Sequence, residues 1–563
     1  MIGALRNKFP FTGKALDFFS SELRGMHAAA YVLAASALLS SLLALGRDRL
    51  LAHTFGASSD LDLYYAAFRI PDLLFVMVGA LVSVYVLIPV LSARDEGGQR
   101  TYIDTIVFGF SVLAVVMSSL AFVAAPALLA YLFPELAAGS SSVTLVTLTH
   151  ILLLQPILLG FSNIVAAITQ FRHRYALYAA APIVYNIGII LGIIFLQPYF
   201  GIVGVAYGVV IGAALHLLIQ LPSARRDGFF RRIPRFAERN AFFTTIRVSL
   251  PRALTLSMNQ LIFLGLLALA SSLAAGSISI FMFSFNLMSV PLAVIGASYS
   301  VAAFPTLASA FSRGERDVFL AQVLVAARQI IFWSVPAIAL LVVLRAHIVR
   351  VVLGSGAFDW TDTRLTAAAL ALFAISIVAQ GISLLIVRAL YASGKTAVPL
   401  IISTITAFLA LSLGSVFLQM FQNVDAAVFL EAFLRVADVP GTDILALILA
   451  YSTAAMISAI LLAGYFEMHF GSFFAKVARA WWESITAAFI GGLVCYIGLN
   501  VLGDITLSST LASVALKGFV AGLAGLGATA ATYYLLGSAE FSDAVQTFRR
   551  RIWREVEPVS SAE

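Results

Sequence analysis

Apolar windows long enough to cross a bilayer follow one another along almost the whole chain, from about residue 27 to about residue 536. A hydrocarbon core of about 30 Å needs roughly 20 apolar residues in a helix, because inside lipid each backbone amide must find its partner within its own segment. Windows of that kind fall at 27–46, 64–92, 104–132, 147–170, 176–197, 201–222, 246–274, 278–308, 319–344, 365–391, 398–420, 444–466, 481–502 and 510–536. The sequence therefore predicts an all-α polytopic membrane protein with about fourteen transmembrane helices. Composition closes the soluble alternatives: 61% of residues are hydrophobic and 11% charged, against about half and about a quarter in soluble domains.

The net charge of +7 does not call for nucleic acid, because cationic cytoplasmic loops give the same excess. Loops after even-numbered spans carry Arg94 and Arg100, Arg172 and Arg174, the run Arg225 to Arg239, Arg313 and Arg316, Arg388 and Lys395, and Lys476 and Arg479. Loops after spans 3, 5, 7 and 13 contain neither Lys nor Arg. Both termini are thus expected in the cytoplasm. Loops after spans 1, 9 and 11 run against the pattern, with Arg47 and Arg49, Arg345, Arg350 and Arg364, and Arg435, each mixed with acids. Residues 1–26 read as an interfacial amphipathic segment without a signal-peptide cleavage pattern. The stretch 223–245 reads as a basic cytoplasmic linker with Phe229, Phe230 and Phe236 toward the acyl boundary, and 537–563 as a basic cytoplasmic tail. The segment 425–438 is a second candidate interfacial helix, too short and too charged to span. The lone Cys495 excludes an internal disulfide, and seven scattered histidines offer no metal motif, so no cofactor is expected.

Span 2 (AAFRIPDLLFVMVGALVSVYVLIPVLSA) and span 8 (FSFNLMSVPLAVIGASYSVAAFPTLASA) share an aromatic, then Arg69 or Asn286, a proline, a small-residue stretch and a closing proline. Their even separation predicts a parallel repeat of two six-helix blocks followed by two extra helices. Chance likeness between apolar segments is the competing explanation.

The segment ALGRDRLLAHTFGASSDLDLYYAAFRIPDLL, 44–74, resembles the first-loop signature of the MurJ/MviN family, lipid II flippases of the multidrug/oligosaccharidyl-lipid/polysaccharide exporter superfamily. LPRALTLSMNQ (250–260), AAGSISIFMFSFNLMSVPLAVIG (274–296), GSGAFD (354–359) and RALYASGKTAVP (388–399) extend the resemblance. It implies two lobes, 27–222 and 246–467, around a central cavity, and a groove at 478–536 for a polyprenyl tail. It implies a transporter and not an enzyme, residing in the bacterial plasma membrane among its lipids, with a lipid-linked glycan precursor as partner; a monomer is expected. Three arginines of the family pattern are replaced, by Ser41, Phe75 and Asn286, and the acidic motif near Gly79 and Ala80 lacks its glutamate.

Ionisable residues within a bilayer cost about 2.5–3.5 kcal/mol each on insertion scales, so they usually face a cavity or a partner. Arg47, Asp48, Asp62, Arg69, Asp72 and Arg252 are the candidate substrate contacts on that ground. Arg69 and Asp72, three apart around Pro71, suit either a phosphate contact or a helix-end ion pair. Asn259, Gln260 and Asn286 are candidate cavity donors, with Asn186 and Gln380 beside them; interhelical hydrogen bonding is the alternative role for each. Pro71, Pro251, Pro291 and Gly296 are candidate hinges. With the cytoplasm negative, outward movement of each negative charge gains about 2.3 kcal/mol per 100 mV, and no nucleotide-binding motif is present. Flipping of an undecaprenyl-linked peptidoglycan precursor is the first expectation. Export of another lipid-linked glycan, multidrug antiport and membrane glycosyl transfer are the alternatives.

Overall fold

The computed structural model describes residues 26–552, apart from 83, 231–232, 422–423, 504 and 506–508. The N-terminal segment read as interfacial lies outside the described residues. Among these, twelve helices are long and apolar enough to cross a membrane, or thirteen when one bent pair counts as a single span. In chain order they are α2 (Ser59–Ser92), α3 (Glu96–Leu132), α4 (Ser141–Phe171), α5 (Tyr175–Phe200), α6 (Ile202–Arg226), α7 (Arg239–Ala270), α8 (Ser277–Ser312), α9 (Arg316–Val352), α10 (the bent pair Trp360–Ala374 and Ile377–Ala392), α11 (Ala397–Phe421), α12 (Ile444–Phe470), α13 (Phe474–Leu502) and α14 (Leu511–Leu535). They are preceded by the 30-residue helix α1 (Met26–Phe55). The arrangement agrees with the fourteen expected spans without fixing that number.

Helices α1 to α6 pack chiefly on one another, as α1 on α5 and α6 on α4 and α5, while α7 packs on α11, α8 on α10, and α12 on α10 and α11. The two bundles meet where α2 lies against α7 and α8. Helices α13 and α14 pack on each other and on α9, through glycines that bring backbones close: a Cβ on Gly525 would lie 2.8 Å from Leu340 and 2.9 Å from Cys495.

Several spans are interrupted. Helix α2 breaks at Phe68, just before Pro71. Proline has no N–H to offer the carbonyl four residues back; that carbonyl, on Ala67, is reached instead at 3.4 Å by the Thr149 hydroxyl, which also lies 2.9 Å from Leu145 O. In α8 a π-helical turn, Ala293–Ala297, follows Pro291, and Ser298 Oγ donates to the Ala293 carbonyl at 3.0 Å. Gly296 lies within that turn, where a Cβ would come within 2.8 Å of Gly381 Cα on α10. Helix α10, expected as one run over 365–391, bends by 43° between its halves. Pro251 lies inside the single helix Arg239–Ala270, so no break accompanies that candidate hinge.

The basic linker differs from expectation. Phe229 is 2% exposed and packs in a cluster with Val78, Phe110 and Phe242 instead of facing lipid. Ion pairs seat the segment on α1–α6: Arg174 Nη1 with Asp227 at 2.8 Å, and Arg94 with Glu238 at 2.6 Å. Phe229 finds a protein surface before it reaches acyl chains, whereas Phe236 stays exposed, and the acids of the linker neutralise arginines from neighbouring loops.

Candidate functional site

Four polar residues that hydropathy marks one by one meet at the boundary between the bundles. Arg47 grips its neighbour Asp48 through Nε at 2.9 Å and Nη2 at 2.7 Å. The other oxygen of Asp48 accepts from Asn286 Nδ2 of α8 at 2.9 Å. Arg47 Nη1 reaches Asn186 Oδ1 on α5 at 3.4 Å, and Asn186 Nδ2 donates to Ser40 Oγ at 3.3 Å. The Asp48 side chain is 3% exposed, and both of its oxygens are engaged, as a buried polar group requires. An arginine at 286 would give this group a net positive charge; Asn286 supplies a neutral donor and leaves it balanced.

Arg69 and Asp72 form an ion pair at 3.3 Å on α2, and Arg69 Nε donates to the Tyr65 carbonyl at 3.1 Å. Three tyrosines that sequence reasoning passed over stand in the same region. Tyr64 and Tyr65 are buried, with their rings 5.5 Å apart edge to face. Gln155 Nε2 donates to Tyr185 Oη at 3.3 Å. Their signal was the Tyr64–Tyr65 doublet inside the first-loop segment, which looks like ordinary apolar filling until its neighbours are known.

A cavity of about 590 Å³ opens within the C-terminal bundle. Arg252, Asn259, Phe285, Gln380, Arg388 and Tyr451 are among its lining residues, and no lining residue carries a carboxylate. Arg388 Nη1 also donates to the Ala297 carbonyl beside the π turn at 3.3 Å. Tyr451 donates to Gln380 Oε1 at 3.3 Å, which fixes the amide that points into the chamber. Gln260 is half-buried and is not among the lining residues. Successive residues of α8 join the two regions, since Phe285 lines the chamber while Asn286 holds Asp48.

Asp62 departs from its expected place in a cavity. It is 3% exposed and accepts from Gly276 N at 2.7 Å, Ser279 N at 2.7 Å and Ser279 Oγ at 2.6 Å. It therefore caps the N-terminus of α8 from the opposite bundle, satisfying amides that a helix start leaves open. Gly276 has φ +90, and a Cβ there would stand 2.3 Å from the Ala57 carbonyl, so the two loops close backbone to backbone. Asp362 repeats the motif in reverse, taking Ala57 N at 3.1 Å, and Ala357 N donates to His53 O at 2.9 Å. Together these contacts seal one end of the boundary.

Of the positions where arginine was expected, Ser41 donates to the Ala37 carbonyl of its own helix at 3.0 Å, and Phe75 lies half-buried with its ring against Gly79. Lys517 donates to the Gly503 carbonyl just beyond α13 at 3.1 Å. Among the described residues no group of three or more His, Cys, Asp or Glu side chains is placed to hold a metal.

Comparison with known proteins places this geometry. The family model described as lipid II flippase MurJ matches residues 51–515. A probable lipid II flippase MurJ of Thermotoga maritima is 29% identical over 386 residues, 66% of this chain and 76% of that relative. The lipid II flippase MurJ of Burkholderia cenocepacia is 25% identical over 355 residues, 61% of this chain and 68% of its own. Among solved structures, a lipid II flippase MurJ in an inward closed conformation superposes with a TM-score of 0.71 at 20% identity, covering 90% of this chain and 99% of that one. An inward-facing multidrug resistance transporter of the MATE family gives 0.62 at 13% identity, covering 78% and 96%. The likeness to the transporters establishes the fold, and with the family model spanning most of its length, the chain belongs to the MurJ lipid II flippase family.

Proposed function

We propose that this chain is a lipid flippase that carries an undecaprenyl-diphosphate-linked peptidoglycan precursor, lipid II, from the inner to the outer leaflet by alternating access. The observation that carries this reading is a membrane-embedded chamber holding two guanidiniums and no carboxylate among its lining residues, next to a boundary where Asn286 of one bundle holds the Arg47–Asp48 pair of the other. An anionic diphosphate head cannot cross hydrocarbon unaided, whereas its polyprenyl chain remains in lipid throughout. Arg252 and Arg388 are the proposed phosphate contacts, with Asn259 and Gln380 as neutral donors. Arg47, Asp48, Asn286, Arg69 and Asp72 are proposed as the polar gate, re-paired as the bundles rock about α2 and α8. Pro71, Pro291 and Gly296 are the proposed points of bending.

Lysine and arginine in the even-numbered loops support placing both termini in the cytoplasm. The Asp62 seal then lies at the outer end, and the state described is closed to the outside. Helices α13 and α14 are proposed to carry the polyprenyl tail, and one chain suffices for the path. Membrane potential supplies the drive, about 2.3 kcal/mol per charge per 100 mV.

The test is complementation of a flippase-deficient bacterium, paired with a leaflet-accessibility assay of lipid II. Restored growth and outward lipid II, both lost in Arg252→Ala/Arg388→Ala, are expected. Growth failure with an expressed, membrane-inserted chain would refute the assignment.

A further inference from the structure

Transport between the bundles leaves unexplained the short helix Val424–Leu434 and the arginines around it. Its 11 residues are too few to span. It buries Leu434 in the core with Ala427 and Leu430 packed partly against it, and exposes Phe429 at 73% and Phe433 at 72%. Those two rings stack 6.4 Å apart. A helix with one face on protein and a bare aromatic face belongs at a membrane surface.

Two guanidiniums gather at its end. Arg345 of α9 donates to the Val342 carbonyl at 2.9 Å and to the Leu434 carbonyl at 3.3 Å. Arg435 follows Leu434 directly, has φ +62, and donates to Tyr496 Oη of α13 at 3.4 Å. Two carboxylates near them are engaged elsewhere: both oxygens of Asp438 accept from Arg364 at 2.6 Å, and Glu431 accepts from Thr442. Among the described residues, the hydrogen-bond partners of Arg345 and Arg435 are thus carbonyls and a phenol, none a carboxylate. These arginines also belong to the loops that run against the positive-inside pattern, so topology gives no reason for them. None of them lines the chamber.

We propose that Arg345 and Arg435, with the exposed face of Phe429 and Phe433, bind the phosphate of an anionic phospholipid at the membrane surface. The acceptors these guanidiniums have are neutral, which leaves their charge for a phosphate, and the adjoining aromatic face places that phosphate on a lipid instead of free in solution. Assignment to the outer leaflet rests on the orientation proposed above; the site itself does not.

The full chain, purified in detergent, is titrated with phosphatidylglycerol or phosphatidylcholine and bound lipid is counted by native mass spectrometry. Tighter retention of phosphatidylglycerol is expected, weakened about tenfold or more in Arg345→Gln/Arg435→Gln, with phosphatidylcholine unaffected. Phe429→Ser/Phe433→Ser is expected to weaken it too, with both arginines in place. Because the Arg435 side chain is exposed, Arg435→Gln alone decides the matter if the double variant does not fold; it is expected to lose about fivefold. Equal retention of the two lipids, unchanged affinity in the arginine variants, full displacement by millimolar inorganic phosphate, or clear preference for a polyprenyl diphosphate would each overturn the proposal. Binding is read directly, so a failed complementation assay leaves this result standing.

Discussion

Helices α2 and α8 carry the two similar sequence segments, and each solves a similar problem differently. Both carry a proline and an interrupted backbone, and both present a polar residue after an aromatic, Arg69 after Phe68 and Asn286 after Phe285. Arg69 finds its partner on its own helix, Asp72, at 3.3 Å. Asn286 finds its partner across the boundary, Asp48, at 2.9 Å. The first arrangement moves with its bundle as a unit; the second has to break if the bundles separate. Replacing a charge by an amide at 286 lowers the cost of that break, since a neutral donor leaving a carboxylate gives up less than a guanidinium does. Interruptions differ as well: α2 breaks at a residue junction before Pro71, whereas α8 widens into a π turn after Pro291.

The largest effect is expected where α2 and α8 are locked together. Asp62→Ala strips three hydrogen bonds from the start of α8 and leaves buried donors unmet, a loss of roughly 3 kcal/mol in detergent unfolding. Reactivity of a cysteine at position 57 should rise in the same variant as the seal loosens. A protein as stable as wild type would mean that the seal is not held by this carboxylate.

Next comes the polar group they share. Asp48→Ala leaves the half-buried Arg47 without its carboxylate and should cost about 2 kcal/mol, while Asn286→Ala removes one donor and should cost about 1 kcal/mol. Asn286→Arg is expected to keep Asp48 engaged and to slow transport in the leaflet assay, because the re-pairing step then breaks an ion pair. Equal losses for Asp48→Ala and Asn286→Ala would contradict the asymmetry drawn above.

The smallest effect concerns the interruption in α2. Thr149→Val is expected to lose about 0.6 kcal/mol, the usual worth of a hydrogen bond between membrane helices. In Pro71→Ala, where the chain itself supplies a donor for Ala67 O, the same change should cost nothing. A double-mutant cycle measures this directly, and an identical Thr149→Val loss in both backgrounds would show that the hydroxyl does not serve that carbonyl.

Much of this was legible beforehand. Arg47, Asp48, Asn186 and Asn286 were each marked by the expense of polarity in lipid, and all four proved to be in contact. Arg252 and Asn259 were marked the same way and line the chamber. Asp62 was marked too but for the wrong role, because an acid near a span end gives no sign that it will cap a helix more than 200 residues away. Phe229 was misread for a related reason: amphipathic spacing shows that a face will be covered and does not say whether by lipid or protein. Arg388 stood among the loop charges that set topology, and only the fold turned it toward the cavity.

The sequence by itself determined that the chain is a membrane protein built of long apolar helices, and which few residues had to find polar company. Those are local consequences of the bilayer, since twenty apolar residues or one buried charge carry the same energy wherever they sit along the chain. The tertiary structure alone decided which partner each of them took. Asp48 and Asn286 stand 238 positions apart and Asp62 and Ser279 stand 217 apart, and side-chain distances of about 3 Å between such residues arise only when whole helices have packed.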